Sequence, residues 1–244
     1  MPDSHLRELL LPFADPERST KESSYLKLDD REVLGTSVPV VHKSAVQYVR
    51  TYGLPTDLRQ IARWFQGSLE EALCAVEFLA VQPSHTLTTW KLTYQWCSAP
   101  DTWALADPIA SILVAGHLEA GVIEEDALRD WATRDDENFW FRRIAIVATT
   151  SLNSGLGGPT RSQLKRLGRV PVIGQEPRPD FTVDLLESSV HDTRHFIRLG
   201  IGWALGDLSV VAPDHAERFV KKYRAQITKG MLTKARLDEN GQRV

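Results

Sequence analysis

The chain lacks the features that mark several large protein classes. It has two cysteines in 244 residues, Cys74 and Cys97, too few for a disulfide framework and with no Cys or His beside them at metal-ligand spacing. No apolar run approaches a membrane span. The first thirty residues lack the basic start and unbroken apolar core of a signal peptide, so a cytoplasmic protein is expected. Strand-like alternation is nearly missing; "RVPVIG" (169–174) is the one candidate and reads as extended loop. There is no nucleophile elbow and no dinucleotide fingerprint. "SGLGGPTRS" has no Gly-Lys-Ser/Thr ending and follows no strand, so it reads as a flexible loop. His191 and His195 have the i, i+4 spacing of two metal ligands, but no Glu of a zinc-protease helix and no obvious third ligand accompany them. No metal and no cofactor are expected.

What is present is helical periodicity. Leu6, Leu9, Leu10 and Phe13 fall on one stripe. Leu69, Leu73, Val76, Phe78, Leu79 and Ala80 give another helix, densely apolar as a buried one would be. Ile109, Ile112, Leu113 and Leu118 form a third stripe; Trp140, Ile144, Val147 and Ala148 form a fourth. Pro55 in "PTDLRQIARWF" and Pro213 in "APDHAERFV" read as helix starts. The expectation is an all-α fold of one domain over 1–244. Paired helices about forty residues apart suggest HEAT-like repeats, with a globular bundle as the alternative. Residues 152–180 break the rhythm with five glycines and four prolines, and read as an insertion.

Net charge is −3, which alone argues against a nucleic-acid partner. Its distribution argues otherwise. Residues 119–137 hold eight acids against two bases, and residues 159–178 hold five bases against one acid. The segment from Arg218 onward is also basic. Such asymmetry can build one positive face on an acidic protein; solvated helix surfaces of mixed sign are the plainer alternative.

Three stretches carry candidate chemistry. In "TWALADPIA", Trp103 and Asp107 share a helix face if one helix holds both. Asp before Pro is also an ordinary helix start, with Asp107 as N-cap and Pro108 as the first helical residue. Cap and catalyst are compatible roles, because a capping carboxylate stays ionised. In "NFWFRRIAIV", Arg142 and Arg143 point about 100° apart, toward a phosphate or toward a structural acid. In "HFIRLGIGWALGDLS", Arg198, Gly202, Trp203 and Asp207 share a helix. Gly200 and Gly202 each cost that helix about 1 kcal/mol, which close packing or an approaching ligand backbone would explain. Trp203 read alone is a core residue.

In order, these stretches resemble the bacterial DNA alkylation repair family of AlkD-type HEAT-like DNA glycosylases. The resemblance runs through "SYLKLDDREVLGTSVP" (24–39), "LEEALCAVEFLA", "TWALADPIASILVAG", "LRDWATRDDENFWFRRIAIVAT" and "HFIRLGIGWALGDLSVVAPDHAERFVKKY". It covers most of residues 24–227. The W-x-x-x-D, W-aromatic-R-R-x-A-I and I-G-W-A-L pieces are weak singly and specific in this order.

The resemblance implies a curved solenoid whose concave face holds duplex DNA, and excision of cationic N3- and N7-alkylated purines without base flipping. It implies Asp107 as the catalytic carboxylate, Trp103 and Trp203 against the lesioned deoxyribose, Tyr25 as the matching tyrosine, and Arg142 or Arg143 facing a phosphate. Lys27, Lys43, Arg161, Lys165 and Arg166 are the further cations expected on DNA. A monomer is expected, with double-stranded DNA as partner and no membrane. A non-catalytic binder of distorted or branched DNA is the alternative function, and a helical scaffold for a protein partner is a further one. Departures from the family pattern are Ala104 in place of an acid, Gly206 in place of the Arg of "GWALRE", and His42 in place of an Arg. With the basic insertion, they suggest a cleft suited to bulky adducts, including those of alkylating natural products in a producer's own DNA.

Overall fold

The computed structural model describes residues 4–28, 30–134 and 138–244. Asp29 in the first family-like stretch, and Asp135, Asp136 and Glu137 at the end of the acidic run, lie outside the described residues. Among the described residues the fold is all-helical, and the one extended pairing is a bridge between Leu237 and Arg243. "RVPVIG" is irregular. No helix among them is long and apolar enough to cross a membrane.

The helices form two compact units. The first comprises residues up to Pro108 together with Gly158–Pro171. It holds α1 (His5–Leu10), α2 (Pro16–Leu26), α3 (Val38–Tyr52), α4 (Leu58–Phe65), α5 (Leu69–Ala80), α6 (Leu87–Cys97) and α7 (Trp103–Pro108). The second comprises Ile109–Gly157 and Val172–Val244. It holds α8 (Ala115–Glu119), α9 (Glu125–Thr133), α10 (Trp140–Ser154), α12 (Pro179–Ser189), α13 (His195–Val211), α14 (Pro213–Lys222) and α15 (Lys229–Ala235). The intervening α11 (Gly158–Leu167) belongs to the first unit.

The centre of the first unit is α5, against which α1, α3, α4, α7 and α11 pack. Phe78 and Leu79 are fully buried there, each contributing about 2–3 kcal/mol by leaving water. Three acids on the same helix are also buried, and each has a partner. Glu70 accepts the Leu34 and Thr36 N–H groups (2.9 and 3.0 Å). Glu71 closes a capping box with Ser68 and pairs with Arg7 (3.0 Å). Glu77 meets His42. In the second unit α10 is the buried core helix; α9, α12 and α13 pack on it, and α13 in turn packs on α15.

Three local expectations change. Pro55 precedes α4 without starting it; Asp57 is the cap, accepting the Arg59 N–H at 2.9 Å. "SGLGGPTRS" is not a loop throughout, because α11 begins at Gly158. Pro159 suits a first helical turn, where its missing N–H has no intrahelical partner to lose. Leu164 and Leu167 of α11 are buried, and Gln163 donates to the His42 carbonyl at 2.7 Å. The third correction concerns Asp107.

Candidate active site and DNA-contacting residues

Asp107 is not a cap. Its helix, α7, begins four residues earlier at Trp103, and Thr102 holds the start. The Thr102 hydroxyl accepts the Ala104 N–H, and its carbonyl accepts those of Leu105 and Ala106 (3.3, 3.2 and 3.1 Å). Asp107 therefore sits one turn inside the helix, buried at 9% exposure. Pro108 is accommodated where a helix would otherwise break. It offers no N–H to the preceding turn, and the residues that follow, Ile109–Val114, form a wider π-helical stretch, a distortion that recurs at functional sites.

Two of the expected aromatic residues meet. Tyr25, at the exposed end of α2, lies edge-on to Trp103 with centroids 6.2 Å apart and planes at 86°. Edge-to-face packing aims the positive rim of one ring at the negative face of the other. The chain leaves α2 through Lys27, in the left-handed conformation at φ 55°. From there it runs into the loop that Glu70 anchors by its backbone. Gly35 in this loop (φ 77°) lies so close to α2 that an added Cβ would stand 2.2 Å from the Asp15 carbonyl. The start of α7 is held by Arg31, which pairs with Asp101 at 2.8 Å and donates to the Phe65 and Gly67 carbonyls. The first unit thus presents Tyr25, Trp103 and Asp107 on braced backbone.

The exposed cations of the first unit include Lys27, Lys43, Arg161, Lys165 and Arg166. Arg161, Lys165 and Arg166 line the outer face of α11, whose opposite face is buried. A fourth cation of that segment, Arg169, is spent internally on the Gln82 and Pro83 carbonyls.

Arg142 and Arg143 have different surroundings from those expected of phosphate ligands. Arg143 is 4% exposed and donates to the Phe196 carbonyl. Arg142 pairs with buried Asp192 at 2.6 Å and donates to the Arg134 carbonyl. Asp192 also takes the Arg194 side chain (2.5 Å) and backbone N–H (2.9 Å). Burial would push its carboxyl up; the bonds from Arg194 and Arg142 outweigh this and hold it at about 2. A structural acid for Arg142 is Asp192, fifty residues on. Sequence spacing carries no sign of it.

Trp203 is half-buried on α13. The Lys234 ammonium lies 5.2 Å over its ring. Gly202 and Gly206 let α15 come close: added Cβ atoms would stand 2.7 Å from the Met231 carbonyl and 3.1 Å from that of Ala235. Close helix packing therefore explains Gly202, whereas Gly200 has ordinary room. Arg243 donates to the Gly206 carbonyl and to Ser209 Oγ (3.0 and 2.9 Å). A guanidinium thus reaches this turn from near the end of the chain.

Among the described residues the fold is all-helical. The sequence matches the family model described as DNA alkylation repair enzyme over residues 6–237, and the chain belongs to that family. A solved structure described as "Predicted DNA alkylation repair enzyme from Enterococcus faecalis" has a similar fold, with a TM-score of 0.60 at 19% identity, covering 88% of this chain and 95% of that one. No curated protein matches the sequence. Membership supports a role in the repair of alkylated DNA, with DNA as partner.

Proposed function

We propose that the protein is a monofunctional DNA glycosylase, acting as a monomer, that hydrolyses the N-glycosidic bond of cationic N3- and N7-alkylated purines in duplex DNA without flipping the base. The observation that carries this reading is the grouping of Tyr25, Trp103 and Asp107, with the carboxylate buried one turn behind the indole. Alkylation at N3 or N7 already makes the base a good leaving group, so no general acid is needed. As the bond breaks, its electron pair goes to the purine and cancels the positive charge there. Positive charge grows at the sugar C1′, where a fixed carboxylate and electron-rich indole faces stabilise it. Water then adds to C1′ and gives its proton to Asp107. Trp203 is assigned to the same deoxyribose, by resemblance.

DNA is held by Lys27, Lys43 and the outer face of α11, which contact phosphates and leave sequence unread. Arg142 acts indirectly, by fixing Asp192 and Arg194. The exposed cations of α11 favour substrates that need extra backbone contact, such as bulky adducts, including a producer's own damaged DNA. The test is base release in single turnovers from duplexes carrying N7-methylguanine, N3-methyladenine or a bulky N3 adduct. Release faster than the spontaneous rate on at least one is expected; the spontaneous rate on all three contradicts the reading.

A further inference from the structure

The basic segment from Arg218 onward has no role in the function proposed above. It carries eight cations against two acids, Asp238 and Glu239. Lys221, Lys222 and Arg224 pair with Glu217, Glu187 and Glu239. The other five, Arg218, Lys229, Lys234, Arg236 and Arg243, have no acid within ion-pair distance among the described residues. Three of these, Lys234, Arg236 and Arg243, meet at one cavity of about 310 Å³ that Trp203 and Asp207 also line. All three are exposed, so a long polyanion can reach them.

The chain is bent to bring these cations together. Arg236 ends α15 in the left-handed conformation at φ 56°, an uncommon one for a residue with a Cβ. The returning end is tied by the Leu237–Arg243 bridge and by the Val244 N–H, which donates to the Arg236 carbonyl at 3.1 Å. Gly241 (φ 83°) lets this loop rest on α14, where an added Cβ would stand 2.8 Å from the Glu217 Cα. Arg243 is then pinned through one nitrogen, because Nη1 makes both its bonds, to the Gly206 carbonyl and Ser209 Oγ (3.0 and 2.9 Å). Its Nε and Nη2 donate to no group among the described residues. That edge of a guanidinium can bind two oxygens of one phosphate. The Lys234 ammonium lies 5.2 Å over the Trp203 ring, a contact that places the charge without neutralising it.

We propose that this cavity is a phosphate site, in which Lys234, Arg236 and Arg243 hold one phosphate group of a DNA backbone. Three cations against the single Asp207 carboxylate leave an excess of positive charge, which a phosphodiester anion offsets in part. The volume is about ten times the share of one water in the liquid, room for a phosphate group with some of its hydration. The choice of DNA over free phosphate rests on the function proposed above; the phosphate chemistry of the cavity does not.

The experiment measures the affinity of the full chain for an undamaged DNA duplex as salt is raised. In Lys234→Gln/Arg236→Gln/Arg243→Gln the slope of log affinity against log salt is expected to shrink by about 0.9, the value for one phosphate. Lys234→Gln/Arg236→Gln, which keeps the bonds from Arg243 to α13, should move the slope the same way by no more than that, with an unchanged melting temperature. Arg218→Gln removes a charge of the same segment outside the cavity and should leave the slope unchanged. An unchanged slope in both cavity variants, or an equal fall in Arg218→Gln, overturns the proposal. Inorganic phosphate titrated into the same proteins separates the two sources. Saturable phosphate binding that the cavity variants lose, beside an unchanged DNA slope, overturns the assignment to DNA. If the slopes change as expected but the wild type releases no base, the glycosylase reading falls and the phosphate site stands.

Discussion

Trp103 and Tyr25 stand edge to face at 6.2 Å, although they come from helices separated by almost eighty residues of chain. Tyr25 is 73% exposed, so the contact contributes little to folding and its value lies in where it holds the indole. Tyr25→Phe is therefore expected to retain base release. Tyr25→Ala should slow it while leaving the melting temperature within about 2 °C of wild type, as for other exposed positions. Single-turnover rates and thermal melts check this pair.

Asp192 joins Arg142 and Arg194 beneath the surface of the second unit. Removing one side of a buried pair costs about 3–5 kcal/mol, so Asp192→Ala should lower stability toward that range in urea unfolding. The sign of the pH effect follows from the depressed carboxyl. Its stabilisation is complete above the ordinary value of 3.8 and is lost as pH falls through about 2. Wild type should thus lose stability between pH 4 and 2 more steeply than Asp192→Ala.

The close approach of α13 and α15 depends on absent side chains. Gly202→Ala places a Cβ 2.7 Å from a backbone carbonyl, an overpacking expected to cost about 1–3 kcal/mol. Gly206→Ala, whose Cβ would stand 3.1 Å from the Ala235 carbonyl, should cost less. Thermal melts of the two variants give the order.

Neutralising the outer face of α11 should weaken DNA binding without unfolding the helix, since its packing rests on Leu164, Leu167 and Gln163. In Arg161→Gln/Lys165→Gln/Arg166→Gln, the slope of log affinity against log salt should shrink by about 0.9 for each phosphate no longer neutralised. An unchanged slope removes α11 from the DNA-binding surface.

The helical class was legible because apolar stripes at a period of 3.6 leave few other folds open. Family membership was legible from short motifs in order. The buried acids were not. Glu70, Glu71 and Glu77 look like ordinary helix-surface residues, because their partners come from distant loops and helices. Asp107 misleads locally, since Asp before Pro commonly starts a helix, and Thr102 already holds that role. The surroundings of Arg142 could not be read from chain order, as they depend on an acid fifty residues away.

The most direct measurement compares wild type with Asp107→Asn in single-turnover release of N7-methylguanine and N3-methyladenine from duplex DNA at matched salt. The amide keeps the shape and removes the charge that the proposed mechanism sets against the developing cation. Release is expected to fall by about 10²-fold or more in the variant, with DNA affinity retained. Equal, accelerated release by both proteins would contradict the role assigned to Asp107.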